Sequence, residues 1–450
     1  MQLKGTYKEI WQISYPIFLG NLAHSINQIV DVAYLGNYSK IALDAVTLSG
    51  VFFMNLTFIV SGFARGCQIM IARYSGQKED AKIGKAFDNL LLLALLLSIG
   101  IMAFLFFGAD FLIAQFISSK AIQLDIKIYL SALTFSVPFV VLSFCFNSFF
   151  AGIGETKIIT YATICMALTN MILAYGLIFG HYGFERMGIL GAGISFVVAE
   201  IVMCLVYLSY FLYHKYHIKF TTFQFNRLNI YTITAITRLS SPIVLQGIIG
   251  MTSWQYFFIS IEKLGENELA VSGILKSIFI FLGIPVWSVA STSNTVISNL
   301  IGQNKIEHVI PALKRLVIFT MSISFLLNLI ILIFPYKIIS LFTDDQSLLS
   351  GILPPFYTMM IGLMFFSSAM IMNQRIIGTL NTKTPALVEL FCAIFYVAYC
   401  YYFIILKKSS LQIAWGCEVV YWLSLLTYTS IYWGSGIWRK HIKSVEEPII

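Results

Sequence analysis

The sequence predicts an all-α integral membrane protein of twelve spanning helices arranged as two related halves. Three observations carry that expectation. The 450 residues are 58% hydrophobic and only 11% charged, whereas soluble domains carry roughly 25% charged residues. Predominantly apolar runs, free of charged residues, extend through 90–107, 316–334 and 391–406, close to the ~20 residues that cross a hydrocarbon core as a helix. The chain also repeats itself 226 residues later. Asn147-Ser-Phe-Phe-Ala-Gly-Ile-Gly-Glu-Thr-Lys157 returns as Asn373-Gln-Arg-Ile-Ile-Gly-Thr-Leu-Asn-Thr-Lys383. The same shift carries Ser14 and Pro16 onto Ser240 and Pro242, and Gly76-Gln77 onto Gly302-Gln303. A fixed internal period marks duplicated architecture. Only helices or closed barrels satisfy the backbone in lipid, and the runs lack the period-two alternation of barrel strands.

Hydropathy between polar breaks places the elements in order. The first span, 9–35, follows Lys4 and Lys8 and runs past Pro16. The next five are 42–73, 86–116, 123–152, 158–180 and 187–214, separated by breaks such as Gln77-Lys78-Glu79-Asp80 and Gly154-Glu155-Thr156-Lys157. The second half gives 233–262, 267–301, 309–342, 350–378, 384–406 and 411–438. Its breaks include Glu262-Lys263, Gln303-Asn304-Lys305 and Lys407-Lys408. The longest polar stretch, with Lys215, Lys219 and Arg227 among Phe and Thr, joins the halves as an interfacial connector. The domains expected are 1–214, a connector over 215–232, and 233–450 with a short tail.

Charge orients the bundle. Nineteen of the 29 Lys and Arg residues fall on the N-terminus and alternate connections, eight on the opposite side, and Arg65 and Lys276 within spans. The positive-inside rule then puts both termini in the cytoplasm. The formal net charge of +8 follows from topology and anionic lipid contact, so nucleic acid need not be invoked. No cleavable signal peptide is visible at the N-terminus. All seven cysteines lie in apolar spans without a CxxC pair, which indicates packing residues rather than a disulfide or metal framework.

Ionisable groups inside the bilayer are costly and mark function by default. Asp31 leads, with Asn27 at i−4 and His24 at i−7 on one helix face and Ile26, Ile29, Val30 and Ala33 opposite. A carboxylate there could carry a proton or hold sodium. Glu200, Glu418 and Lys276 are further embedded groups, while Glu389, one turn inside its span, is expected near the interface. Aromatic residues make up 15% of the chain. Tyr34, Phe53, Trp254 and Trp287 are candidates for contacting bulky amphipathic cations by dispersion and cation–π contact. Pro16 and Pro242 are expected to kink their helices.

Several segments resemble the multidrug and toxic compound extrusion (MATE) transporters over essentially the whole length. They are Pro16 through Asn27 and Asp31 to Leu35-Gly36, Gly66-Cys-Gln-Ile-Met-Ile-Ala-Arg-Tyr-Ser-Gly76, Ala151-Gly-Ile-Gly-Glu-Thr-Lys157 and Gly188-Ile-Leu-Gly-Ala-Gly193. The likeness is nearest to the bacterial DNA-damage-inducible-F-like branch. It implies two pseudo-symmetric six-helix lobes around a central cleft and an N-lobe aspartate, here Asp31, that couples transport to H+ or Na+. In that branch the aspartate is paired with Asn and Asp four apart on helix five. Here Asn170 is present and the second position is Ala174, so Asn27 and His24 are left to complete the set. The sodium-coupled branch places a glutamate eight residues after the helix-seven proline, where this chain has Gly250, and 351–372 contains no acidic residue. Coupling is therefore expected in the first half.

The resemblance implies a monomeric secondary exporter of small organic compounds in the bacterial inner membrane, without cofactor. No GxxxxGK[ST] is present to indicate ATP. A related lipid-linked oligosaccharide flippase is the alternative, although only Arg65 and Lys276 are embedded bases. A membrane transferase would need clustered carboxylates for magnesium. The close acidic pairs Glu79-Asp80, Asp344-Asp345 and Glu446-Glu447 lie instead in loops or the tail.

Overall fold

Apolar runs far longer than a soluble helix needs become helices of membrane length. The computed structural model describes residues 2–117, 119–224, 229–340 and 346–439. Arg227, Asp344, Asp345, Glu446 and Glu447 lie outside those residues. In order the helices are α1 (Tyr7–Tyr38), α2 (Lys40–Gln77), α3 (Asp80–Phe107), α4 (Ala109–Phe116), α5 (Lys120–Ile153), α6 (Lys157–Phe179), α7 (Ile189–Tyr213) and α8 (Tyr216–Lys219). The second half follows with α9 (Ile230–Glu262), α10 (Glu266–Gly302), α11 (Val309–Ile333), α12 (Pro335–Ile339), α13 (Gln346–Gly378), α14 (Lys383–Tyr399), α15 (Leu411–Ala414) and α16 (Gly416–Gly434). Among the described residues, ten helices are long and apolar enough to cross a membrane. The long helices α1 and α16 bring the set to the twelve expected, and the protein is a multi-pass membrane protein.

Four expected spans are broken near their ends. Gly108 interrupts 86–116 between α3 and α4, and the span 309–342 stops at Phe334 because Pro335 cannot continue it. The span 384–406 finishes as a π-helical turn over Cys400–Leu406. The last begins with one short turn, α15, before α16.

The chain forms two compact units, Tyr15–Ser240 and Gln2–Ser14 with Ser241–Ile449. The boundaries Ser14 and Ser240 are themselves 226 residues apart, each just ahead of the α1 or α9 proline. Within the first unit the connector is fastened to α3. The Phe223 and Gln224 amides donate to Asp88 at 2.9 and 3.1 Å, and the Asn229 amide donates to Asn89 at 2.9 Å. A Cβ at Gly84 would lie 1.8 Å from the Phe220 carbonyl oxygen, so only glycine admits that approach. Within the second unit the N-terminal arm is tied to α10 and α11. The Leu3 amide donates to Asn299 Oδ1 at 3.0 Å, and Arg315 donates to the Gly5 carbonyl at 3.0 Å.

The two cores differ in chemistry. Phe87, Phe146, Phe149, Phe150 and Phe211 interlock in the first unit with ring centroids 4.8–6.4 Å apart, the edge-to-face range that aromatic packing favours. In the second, Arg375 stands at the position equivalent to Phe149. It is 1% exposed, and its guanidinium lies 3.2 Å over the Trp433 ring.

Candidate functional site

Helices α1 and α6 meet along a polar seam inside the first unit. Asn27 and Asp31 lie one turn apart on α1, and Asn170 faces them from α6. The Asn170 side-chain amide donates to Asp31 Oδ1 at 2.7 Å and to Asn27 Oδ1 at 3.1 Å. Asn27 donates in turn to Asp31 Oδ2 at 3.3 Å. Asn27 and Asn170 are 2% and 1% exposed, and Asp31 is half-buried. Both carboxylate oxygens thus accept from neutral amides, and among the described residues Asp31 has no basic partner. Asn170 Oδ1 is buried and accepts no hydrogen bond from the described residues. An oxygen-rich pocket of one carboxylate and two carboxamides, with an acceptor to spare, suits a proton carried by Asp31 or a small hard cation.

The sequence-derived set is only partly assembled. His24 is exposed, and its ring nitrogen contacts Gln28 at 3.4 Å rather than Asp31. The physical reason is reach: seven residues along a helix is about 10.5 Å of rise, beyond an imidazole. Replacing His24 with alanine is accordingly expected to leave transport within about twofold of wild type, since exposed sites away from special contacts move free energies by ±0.5 kcal/mol. A dye-efflux time course checks this. Ala174 is 1% exposed, so the missing acidic group leaves packed apolar surface, and Asn27 fills out the carboxylate's shell.

The aromatic candidates are dispersed. Tyr34 packs on Tyr175 and Phe179 at 5.7 and 6.0 Å, and Phe53 meets Phe196 edge-on at 6.0 Å. Trp287 packs on Phe366 at 5.9 Å. Glu200 on α7 is 5% exposed and has no hydrogen bond among the described residues. Arg65, on α2, is exposed and lies 5.9 Å from the Phe58 ring.

The second unit gathers polar groups that sequence reasoning placed singly. Lys276 lies over Trp254 and Phe258 at 5.3 and 5.1 Å. Glu418, 3% exposed, accepts from Tyr396 at 2.8 Å and Trp422 at 2.9 Å. Glu389, expected near the membrane interface, is buried within its unit: it is 5% exposed and accepts from Tyr421 and, at 3.3 Å, from Gln246. Its position one turn into the span hid this, because helices α9 and α16 cover that turn. The repeat offered a signal. Asp31 and Asn170 shifted by 226 fall on Phe257 and Tyr396, whose rings pack at 6.2 Å. The second unit thus keeps the contact between those helices but draws its carboxylates from elsewhere.

Comparison with known proteins agrees with this architecture. The MatE family matches residues 16–176 and again 242–402, two segments offset by the repeat period. A probable multidrug resistance protein NorM from Photorhabdus laumondii subsp. laumondii is 25% identical over 76% of this chain and 75% of its own. The probable multidrug resistance protein YoeA of Bacillus subtilis is 23% identical, covering 94% and 92%. Among solved structures, the outward-facing conformation of a multidrug resistance MATE family transporter of the MOP superfamily aligns with a TM-score of 0.88 at 17% identity. That alignment covers 98% of this chain and 97% of the other. A MOP superfamily transporter from Pyrococcus furiosus aligns with a TM-score of 0.86 at 18% identity, with the same coverage of each chain.

Proposed function

The chain belongs to the MatE family, and from that premise we propose that it is a secondary active exporter of organic, cationic or amphipathic compounds, driven by a proton or sodium ion entering in exchange. It works as a monomer in a bacterial inner membrane with both termini cytoplasmic, bound by lipid and not by nucleic acid. The curated relatives named as multidrug resistance proteins support the substrate class.

One observation carries the coupling reading: the Asp31 carboxylate is held inside the first unit by two carboxamides and no base. A carboxylate partly withdrawn from water without a counter-charge is costly when ionised, so Asp31 favours taking up a cation. Binding shifts a conformational equilibrium only by its differential affinity for the two states. An Asp31 site that is assembled in one state and loosened in the other therefore converts a cation gradient into alternating access. The Asn170 carboxamide, bridging α1 and α6, is the element that senses occupancy. Glu418, Lys276, Trp254, Trp287, Phe53, Tyr34 and Glu200 are proposed to serve the substrate, acting in their own units through aromatic faces and opposite charge. The test is efflux of an organic cation dye from proteoliposomes under imposed proton and sodium gradients. Export that proceeds equally with neither gradient overturns the reading.

Pro16 and Pro242 are proposed as the conformational positions. Each removes an intrahelical hydrogen bond directly after a point where the chain passes from one compact unit to the other. Pro16→Ala restores that bond and stiffens α1. We expect slower turnover with dye affinity unchanged, read as initial efflux rate against equilibrium binding. A matching loss of affinity contradicts a hinge role.

A further inference from the structure

The second unit contains a buried carboxyl that the coupling reading does not use. We propose that Glu389 is a second proton-binding site of this protein, loading and releasing a proton through the α9 face beside it, with Tyr421 and Gln246 as its hydrogen-bond partners. The proposal extends the exporter reading to a second coupling group.

Glu389 on α14 is 5% exposed, and its two oxygens face different helices. Oε1 pairs with the Tyr421 hydroxyl of α16, and Oε2 accepts from the Gln246 amide of α9. Among the described residues no Lys, Arg or His pairs with it. The titratable groups against it are Cys392 on its own helix and Tyr421 on α16, and Tyr421 in turn faces Glu418. The cation of this unit's polar cluster, Lys276 on α10, lies over Trp254 and Phe258. Among the described residues, the groups set against Glu389 are therefore neutral or acidic. Burying the carboxyl away from any positive charge carries a desolvation cost that its two neutral donors offset only in part, so the site favours taking up a proton.

The ligand is a proton rather than a metal ion. Gln246 and Tyr421 present N–H and O–H donors to the carboxyl, whereas a sodium or calcium ion needs several converging oxygen acceptors. No group of three or more His, Cys, Asp or Glu able to hold a metal occurs among the described residues. A protonated Glu389 and the Tyr421 hydroxyl can also exchange donor and acceptor roles, which keeps the pair hydrogen-bonded whichever oxygen carries the proton.

Exchange requires a way in, and α9 supplies it. A Cβ at Gly250 would come within 3.0 Å of Glu389 Oε1, so bare backbone stands where a side chain would cover the carboxyl. Gln246 and Gly250 are both half-exposed on the same helix face, one turn apart. Glu418 lacks this opening: it accepts from Tyr396 and Trp422, and the glycine beside it, Gly362, is buried and faces its Cβ rather than its carboxyl. Glu389 is thus the more accessible carboxyl of the two.

The test is pH-difference infrared spectroscopy of the full-length protein in lipid bilayers, reading the carbonyl stretch of protonated buried carboxyls without any transported compound. Glu389→Gln keeps the shape and the acceptor for Tyr421. It is expected to delete one titrating component of that band, and Asp31→Asn a different one. A Glu389→Gln difference spectrum identical to wild type overturns the proposal. If instead only the Asp31→Asn spectrum matches wild type, Asp31 carries no proton and Glu389 stands as the proton site. Should Glu389→Gln not assemble, Tyr421→Phe gives the answer: loss of its hydroxyl is expected to shift the same component, and an unshifted band refutes the site.

Discussion

Asp31→Asn is expected to leave the transporter folded and able to bind an organic cation dye, yet unable to export it uphill. Asparagine preserves the side-chain volume and the acceptor for Asn170, so the α1–α6 contact at 2.7 Å survives in shape. What disappears is the group whose charge changes with occupancy. Without it a proton or sodium ion no longer prefers one conformation, and the gradient has no leverage on the equilibrium. Coupling free energies of 1–3 kcal/mol correspond to factors of about 5–150, and gradient-driven dye efflux is expected to fall within that range. Downhill exchange of dye should persist, which separates uncoupling from simple inactivation. Asn170→Leu should resemble Asp31→Asn in direction while also lowering stability, because it strands two oxygens that now share one donor.

Gly191→Leu is expected to cost the most stability. Glycine at 191 lets α7 lie directly on α6: a Cβ there would be 2.7 Å from the Leu177 carbonyl carbon, which is backbone and cannot rotate away. Small residues at such contacts provide the close packing on which membrane helix association depends. Forcing side chains into a well-packed contact costs about 1–3 kcal/mol, and here the helices themselves must separate. The thermal unfolding midpoint in detergent should fall clearly. Because α6 also carries Asn170, the shift reaches Asp31, and coupled efflux should drop even in the folded fraction. A variant with an unchanged midpoint and full coupling contradicts the packing account.

Much of the fold was legible in the sequence because membrane crossing is written in residue type and run length. The twelve long helices, the 226-residue period and the pairing of Pro16 with Pro242 needed no tertiary information. Helix ends were less legible. The breaks at Gly108 and Pro335 carried local signals, but the π-helical turn over Cys400–Leu406 carries none that hydropathy detects. Asn170, on another helix, was reached only through the family resemblance, whereas Asp31 and Asn27 were accessible to a spacing argument, since one helical turn is a fixed distance. His24 was not, because face-sharing on a helical wheel ignores rise along the axis. The burial of Glu389 was missed for a related reason. Depth along one helix says nothing of what its neighbours cover, and only the approach of α9 at Gly250 and of α16 at Tyr421 buries it.

The most direct measurement counts cations against substrate. Purified protein in liposomes loaded with an organic cation dye, with proton- and sodium-sensitive indicators inside, reports both movements at once. The account predicts that dye export in wild type is matched by an inward flow of one of the two cations, and that Asp31→Asn abolishes that flow while dye still equilibrates. Dye leaving against its gradient with neither cation entering, or with the counterflow intact in Asp31→Asn, would contradict it.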